Sequence, residues 1–267
     1  MIIIEKMKTI DGKEQKLLLL SILLDITSFC EKNNIRYFLA YGTLIGSIRH
    51  KGFIPWDDDI DLIMPRKDYE TFLLMYNGTN EHYEVLTYKR NRDYHIDFAK
   101  VHDRRTILQE EYSVKTNYGL FVDIFPYDGY TGKKQYYLGI IMARMLHYKT
   151  MAWYKNNSII KNLIIQMVKC SLSILSFKKL LELMEKNARK ASFDASKEVY
   201  YVSSYLKFHG PYRKEIFENA LWGEFEGHLF RIPCGYDELL KVQYGDYMQL
   251  PPKSERINKH QAKVWWK

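Results

Sequence analysis

Trp56-Asp57-Asp58-Asp59-Ile60-Asp61-Leu62-Ile63-Met64 is the stretch with the densest chemistry in this chain. From Asp59 to Met64 acidic and then aliphatic residues alternate, which is the pattern of a strand with one polar face. Alternation turns Asp59 and Asp61 to the same side, about 7 Å apart. Two carboxylates so placed repel unless something positive stands between them. Hard oxygen ligands call for a divalent cation, Mg²⁺ or else Mn²⁺. Mg²⁺ usually keeps waters and binds substrate phosphates instead of sitting in a cage made only of protein, so the pair predicts phosphoryl-transfer chemistry. The plainer alternative is a solvated acidic loop beside the Pro55-Trp56 turn.

The residues just upstream favour the chemical reading. Ile35 to Tyr41 is β-branched and aromatic enough for a buried strand, and Gly42-Thr43 turns it into a short helix from Leu44 to His50, with Thr43 as N-cap. A strand-to-helix turn offers backbone N–H groups to a phosphate, and Gly42 lets a ligand approach the backbone closely. Arg49 and His50 end the helix. Further strands are expected at Tyr83 to Tyr88, Tyr94 to His102 and Gly119 to Phe125. Lys100 lies on the second of these; like Arg49 it could neutralise a leaving pyrophosphate, or simply form a surface ion pair. Asp123 sits on the third between large apolar residues, so it needs a cation or a strong hydrogen-bonding partner, as metal ligand, catalytic base or structural acceptor.

The chain has 267 residues, 46% hydrophobic, 27% charged and 15% aromatic, a composition that excludes intrinsic disorder. Its three cysteines, Cys30, Cys170 and Cys234, lack the spacing of a zinc site or redox pair and are expected to be reduced thiols in a cytoplasmic protein. Lys13 to Leu24 imitates a signal peptide, but no small-residue cleavage site follows and the amphipathic pattern runs on. A core helix over Leu17 to Phe29 is therefore expected, with another from Arg66 to Tyr76 opened by Pro65.

The net charge of +8 is unevenly spread. Between Lys133 and Lys190 twelve Lys and Arg face only Glu182 and Glu185, a formal +10, and the rest of the chain carries −2. This segment reads as mostly helical over 135–190, and its apolar run from Ile159 to Phe177 is broken by Lys161 and Lys169, so it should not span a bilayer. Basic helices rich in Ile, Leu and Met suit peripheral contact with an anionic membrane better than nucleic acid; packed helices with a solvated lysine face are the alternative. From Trp222 onward the pattern returns to loops and short elements around a helix at Tyr236 to Tyr244. The expected architecture is an α/β (α+β) mixed sheet with a helical insertion, divided into 1–130, a basic helical segment at 131–200, and a C-terminal segment at 201–267 that completes the core.

The run from Tyr41 to Met64 closely resembles the LicD family of phosphotransferases. Gly119-Leu-Phe-Val-Asp-Ile-Phe-Pro-Tyr-Asp128 and Tyr244-Gly-Asp-Tyr-Met-Gln-Leu-Pro-Pro252 look like its second and third signatures, in the same order. The resemblance implies a nucleotidyltransferase-like core that transfers phosphocholine, or a related phospho-polyol, from CDP-choline or another CDP-alcohol to a sugar hydroxyl of a lipid-linked cell-surface glycan. It places Asp59 and Asp61 on the family's metal-binding pair and Asp123 on its third acidic position. Recognition of choline calls for an aromatic cage, for which Trp56 and Tyr41 stand near in sequence, with core packing as their other role. His260 follows the Pro-Pro motif, where the family often has a histidine. Two rival readings are an NTP-dependent nucleotidyltransferase that releases pyrophosphate, and a non-catalytic membrane-surface module.

Overall fold

Strands that are apolar on both sides of a polar position become the middle of a sheet here. The computed structural model describes residues 7–76, 80–109, 118–150, 162–163, 166–167, 174–203, 210–258 and 263–267. Its strands are β1 (Phe38–Leu39), β2 (Asp61–Pro65), β3 (Tyr83–Leu86), β4 (Ala99–Asp103), β5 (Thr106–Gln109), β6 (Phe121–Gly129), β7 (Glu198–Tyr200), β8 (Tyr212–Arg213), β9 (Ala220–Phe225), β10 (His228–Pro233) and β11 (Lys263–Trp266). The main sheet has seven strands in the order β1-β2-β6-β4-β3, with β7 paired to β6 and β8 to β7. Only β2 and β6 run parallel within it; the other pairings are antiparallel. β2 is buried along its whole length, and Val122 and Ile124 of β6 are fully buried. This is the mixed α/β class expected.

The helices are α1 (Gly12–Lys32), α2 (Tyr41–Ile45), α3 (Arg66–Met75), α4 (Lys133–Thr150), α5 (Phe177–Ala188) and α6 (Tyr236–Tyr244). α1 is longer than the predicted Leu17–Phe29 because Asp11 caps it, its carboxylate accepting from Glu14 N–H at 2.8 Å. It buries Leu19, Ile22, Leu23, Ile26 and Cys30. Asn33 and Asn34 end it as predicted, with Asn34 at a φ of 53°. Pro65 is the last residue of β2 and the N-cap of α3, which begins at Arg66 as expected and ends one residue before the expected Tyr76. In the 94–102 stretch only Ala99 to Asp103 is strand, because Tyr94 N–H and its phenol bond back within a turn, to Asn91 O and Phe98 O.

Two differences lie near the C-terminal segment. The stretch from Trp222 read as loops and short elements, yet β9 and β10 form a six-pair hairpin. Its turn, Glu226-Gly227, has positive φ at both residues (50° and 75°), the two-residue turn that matches strand twist; glutamate is a rare occupant, so little turn signal is readable there. Basic α4 and α5 pack on one another through Met142, Ala143 and Leu146 against Leu180, Leu181 and Met184, a small core of their own. Lys161 and Lys169, predicted to interrupt the apolar run, lie outside the described residues. Among the described residues no helix is long and apolar enough to cross a membrane.

Candidate active site

Register assembles the site. Parallel pairing sets Asp61 of β2 beside Asp123 of β6, and antiparallel pairing sets Lys100 of β4 on the other side of Asp123. The three occupy one row across adjacent strands and so project from the same face of the sheet. Lys100 Nζ donates to Asp123 Oδ1 at 2.6 Å, with the two side chains only 5% and 14% exposed. The ammonium also lies 3.3 Å from the centre of the Phe121 ring and 5.2 Å from that of Phe98. The cation that Asp123 required is therefore Lys100, held inside the sheet face and not extended toward solvent.

Asp61 is buried among like charges. Burial, then the charges of Asp59, Asp123 and Asp57, push its carboxyl well above the usual carboxylate range, and Lys100 pulls the other way. β2 begins at Asp61, two residues later than predicted, and Asp59 stands in the extended segment leading into it. That segment is already docked, since Asp123 N–H donates to Ile60 O at 2.9 Å. The charge of Asp59 is felt at Asp61, as are those of Asp123 and Asp57.

The turn before the acids serves to hold them. Thr43 does not cap a helix: α2 starts at Tyr41 behind Ala40, and the buried Thr43 hydroxyl accepts from Asp61 N–H at 2.9 Å. Ala40 N–H donates to Asp61 O at 3.0 Å, so both sides of the Asp61 backbone are fixed. A Cβ on Gly42 would fall 2.4 Å from Asp57 Oδ2; glycine is needed there so that the acidic loop can fold onto the turn. Tyr41 has a φ of 44°, its phenol shares a 3.3 Å hydrogen bond with that of Tyr127, and it stands edge-on to Phe125 at 5.3 Å. Burial raises its phenol well above the usual range. Tyr41 is a packing residue in this arrangement.

Arg49, His50 and Trp56 gather on the other side of the acidic loop. Arg49 Nη1 donates to Tyr247 O at 2.5 Å and Gln249 O at 3.3 Å, which ties down the loop after α6, while its buried Nε has no hydrogen-bond partner among the described residues. His50 meets Trp56 edge-on at 6.3 Å, and the Arg256 guanidinium covers Trp56 at 5.6 Å. Burial and then Arg256 lower the Arg49 pKa; burial and then Arg49 lower that of His50. Asn258 Nδ2 donates to Asp58 Oδ2 at 2.8 Å. A cavity of about 590 Å³ opens beside this loop, bounded by Lys13, Lys16, Trp56, Asp57, Asp58 and Asn258.

Two residues to which the sequence assigned no role belong to this neighbourhood. Tyr244, at the head of the third signature, has its phenol pushed well up by burial and then by Asp61, with Asp57 and Asp59 adding to it. Arg256 follows Pro252 by four residues and donates from Nε to Pro251 O at 2.8 Å. Proximity to the third signature was the available clue for both. His209 and His260 lie outside the described residues.

The acids suit a hard cation by their chemistry. Among the described residues no three His, Cys, Asp or Glu side chains gather into a ready-made cage. Mg²⁺ needs none, since one or two carboxylates with waters and phosphates fill its shell. The mutual repulsion around Asp61 is what a cation would relieve.

A mixed sheet with acids in register on two parallel strands, preceded by a glycine turn, defines a nucleotidyltransferase-type catalytic core. The sequence profile described as LicD/FKTN/FKRP, nucleotidyltransferase domain, matches residues 34–170, and the chain belongs to that family. It is 34% identical over 271 residues to the lipopolysaccharide cholinephosphotransferase LicD of Haemophilus influenzae, covering 95% of this chain and 97% of that protein. A 59-residue segment is 42% identical to an uncharacterized protein of Rickettsia prowazekii, 22% of either chain.

Proposed function

We propose that this chain transfers phosphocholine, or a related phospho-alcohol, from a CDP-linked donor to a sugar hydroxyl of a cell-surface glycan. The observation that carries the proposal is likeness to a lipopolysaccharide cholinephosphotransferase over nearly the whole length of both chains. The row of Asp61, Asp123 and Lys100 supports it. In the reaction the acceptor hydroxyl oxygen attacks the phosphorus that bears choline. The bond from that phosphorus to the bridging oxygen breaks, its electron pair leaves with CMP, and the hydroxyl proton passes to a base. Asp59 and Asp61 would hold Mg²⁺, which neutralises charge on the donor pyrophosphate. Asp123 completes that site or takes the proton, and Lys100 fixes which way its carboxylate faces. Catalysis of this kind rests on positioning and charge neutralisation.

Incubation with CDP-choline, CDP-ribitol and CDP-glycerol should give Mg²⁺-dependent release of CMP from one of them, quenched by EDTA. Pyrophosphate release from CTP with no CMP from any CDP-alcohol would assign the chain to nucleotide transfer instead.

The proposal extends to place: the cytoplasmic face of a membrane, where a lipid-linked acceptor is anchored. On α4 the exposed residues Lys133, Lys134, Tyr137, Leu138, Ile141 and Arg144 mix apolar and basic character, and Lys178, Lys179 and Lys186 of α5 are exposed as well. Basic residues near an anionic surface contribute about 1 kcal/mol each and are screened by salt. The chain should pellet with phosphatidylglycerol vesicles at low salt and release at high salt. Changing Lys178, Lys179 and Lys186 to Glu should abolish pelleting and preserve donor hydrolysis. A wild type that ignores these vesicles at low salt would remove the membrane claim.

A further inference from the structure

A second cavity, about 820 Å³, opens over the same sheet face toward the β3 edge. His102 on β4 lies two residues beyond Lys100, so both side chains leave the same face, about 7 Å apart along the strand. Tyr118 joins the two places: it lines the cavity, and its ring lies 5.9 Å from Lys100 Nζ and 5.4 Å from Phe121. Tyr94, another wall residue, stands 6.4 Å from Tyr118, and the charge of Asp123 adds to the burial that raises its phenol. The cavity therefore adjoins the Lys100–Asp123 pair across an aromatic wall.

Its other walls are polar, with His82, Glu84, Asn91, Arg92 and Arg104 among them. His102 is 4% exposed. Its Nδ1 accepts from Gly119 N–H at 3.1 Å, which leaves the imidazole proton on Nε2. That Nε2 is buried and, among the described residues, is faced by a Glu84 carboxylate oxygen at 3.5 Å, long for a hydrogen bond. A buried donor with so long a contact is under-satisfied, and a ligand oxygen would complete it.

We propose that this cavity holds a sugar ring of the acceptor glycan, beside the Lys100–Asp123 pair and separated from it by the aromatic wall. Tyrosine faces suit the apolar C–H surface of a pyranose, while Asn91, Glu84, Arg104 and the His102 N–H offer the mixed donors and acceptors that its hydroxyls require. The inference rests on the transferase reading for its choice of ligand, but sugar binding is measurable without turnover.

The test is saturation-transfer NMR on the full chain with the methyl glycosides of glucose, galactose and N-acetylgalactosamine. At least one should receive saturation at its ring protons. His102→Ala should weaken that binding by about tenfold, the worth of one hydrogen bond. Because His102 is buried, Arg104→Ala on the exposed rim is the second variant, with an unchanged melting temperature and a loss of at least about threefold. Absence of saturation on all three glycosides with the wild type, or affinity unchanged in Arg104→Ala, overturns the inference. If CMP release from every CDP-alcohol failed while a glycoside bound here, the donor reading would fall and the sugar site would stand.

Discussion

Asp61→Asn is expected to lower transfer by about a thousandfold or more, with the fold intact and the metal-free protein at least as stable as the wild type. Several kcal/mol of transition-state stabilisation depend on the charge of a metal-holding carboxylate, and each 1.36 kcal/mol is about tenfold in rate. Stability moves the other way because of where Asp61 sits. Burial, followed by Asp59, Asp123 and Asp57, raises its carboxyl in the folded chain, so the folded state holds that proton more tightly than the unfolded state. The resulting stabilisation is complete below the ordinary aspartate value of about 4 and is lost as pH rises through the raised value. Asparagine carries no such proton. The variant should therefore gain on the wild type as pH rises from about 4 to 8, read as the difference in melting temperature. Mg²⁺ should raise the melting temperature of the wild type and leave that of Asp61→Asn unchanged. Wild-type turnover in the variant would remove Asp61 from the site.

The strand that carries Asp61 was legible because alternation is local and can be read from six consecutive residues, although β2 itself begins only at Asp61. Asp123 stood out for a different local reason, as a lone acid in an apolar strand. What the sequence could not supply was the partner. Lys100 meets Asp123 through an antiparallel register between strands 23 residues apart, and nothing near Lys100 in the chain specifies that pairing. The role of Thr43 was missed for a similar reason. A threonine at a turn reads as a helix cap, and only β2 lying against the turn turns its hydroxyl into an acceptor for Asp61 N–H.

Longer reach explains the remaining gaps. Glu226 at the hairpin tip accepts from Phe53 N–H at 2.9 Å, and Glu226 N–H donates to Lys51 O at 2.9 Å, so a turn 173 residues later in the chain braces the approach to the acidic loop. A Cβ on Gly52 would collide with that carboxylate at 2.1 Å, which gives Gly52 a structural reason that the first signature alone conceals. Arg49, a candidate for neutralising a leaving pyrophosphate or for a surface ion pair, donates from Nη1 to the carbonyls of Tyr247 and Gln249. It couples the first signature to the third. The first two signatures meet where β2 and β6 pair in the middle of the sheet, and Arg49 ties the third to the first.

The Lys100–Asp123 pair separates structure from chemistry most sharply. Lys100→Met removes the ammonium from a carboxylate that is 14% exposed, and breaking a buried pair from one side costs about 3 kcal/mol or more. Asp123→Leu leaves the ammonium enclosed by Phe98 and Phe121 and should cost a comparable amount. Replacing both by apolar residues of similar volume is often close to neutral, so Lys100→Met with Asp123→Leu should regain most of the lost stability, to within about 1 kcal/mol of the wild type. Urea midpoints measure this. If the pair only pinned β4 to β6, the double variant would also regain transfer. Proposed as a ligand or base, Asp123 has no replacement in leucine, and single-turnover assays at saturating donor should show transfer still reduced by about a thousandfold or more. A stable double variant with full single-turnover chemistry would make Asp123 a strut of the sheet and move the third acidic role to another residue of the loop.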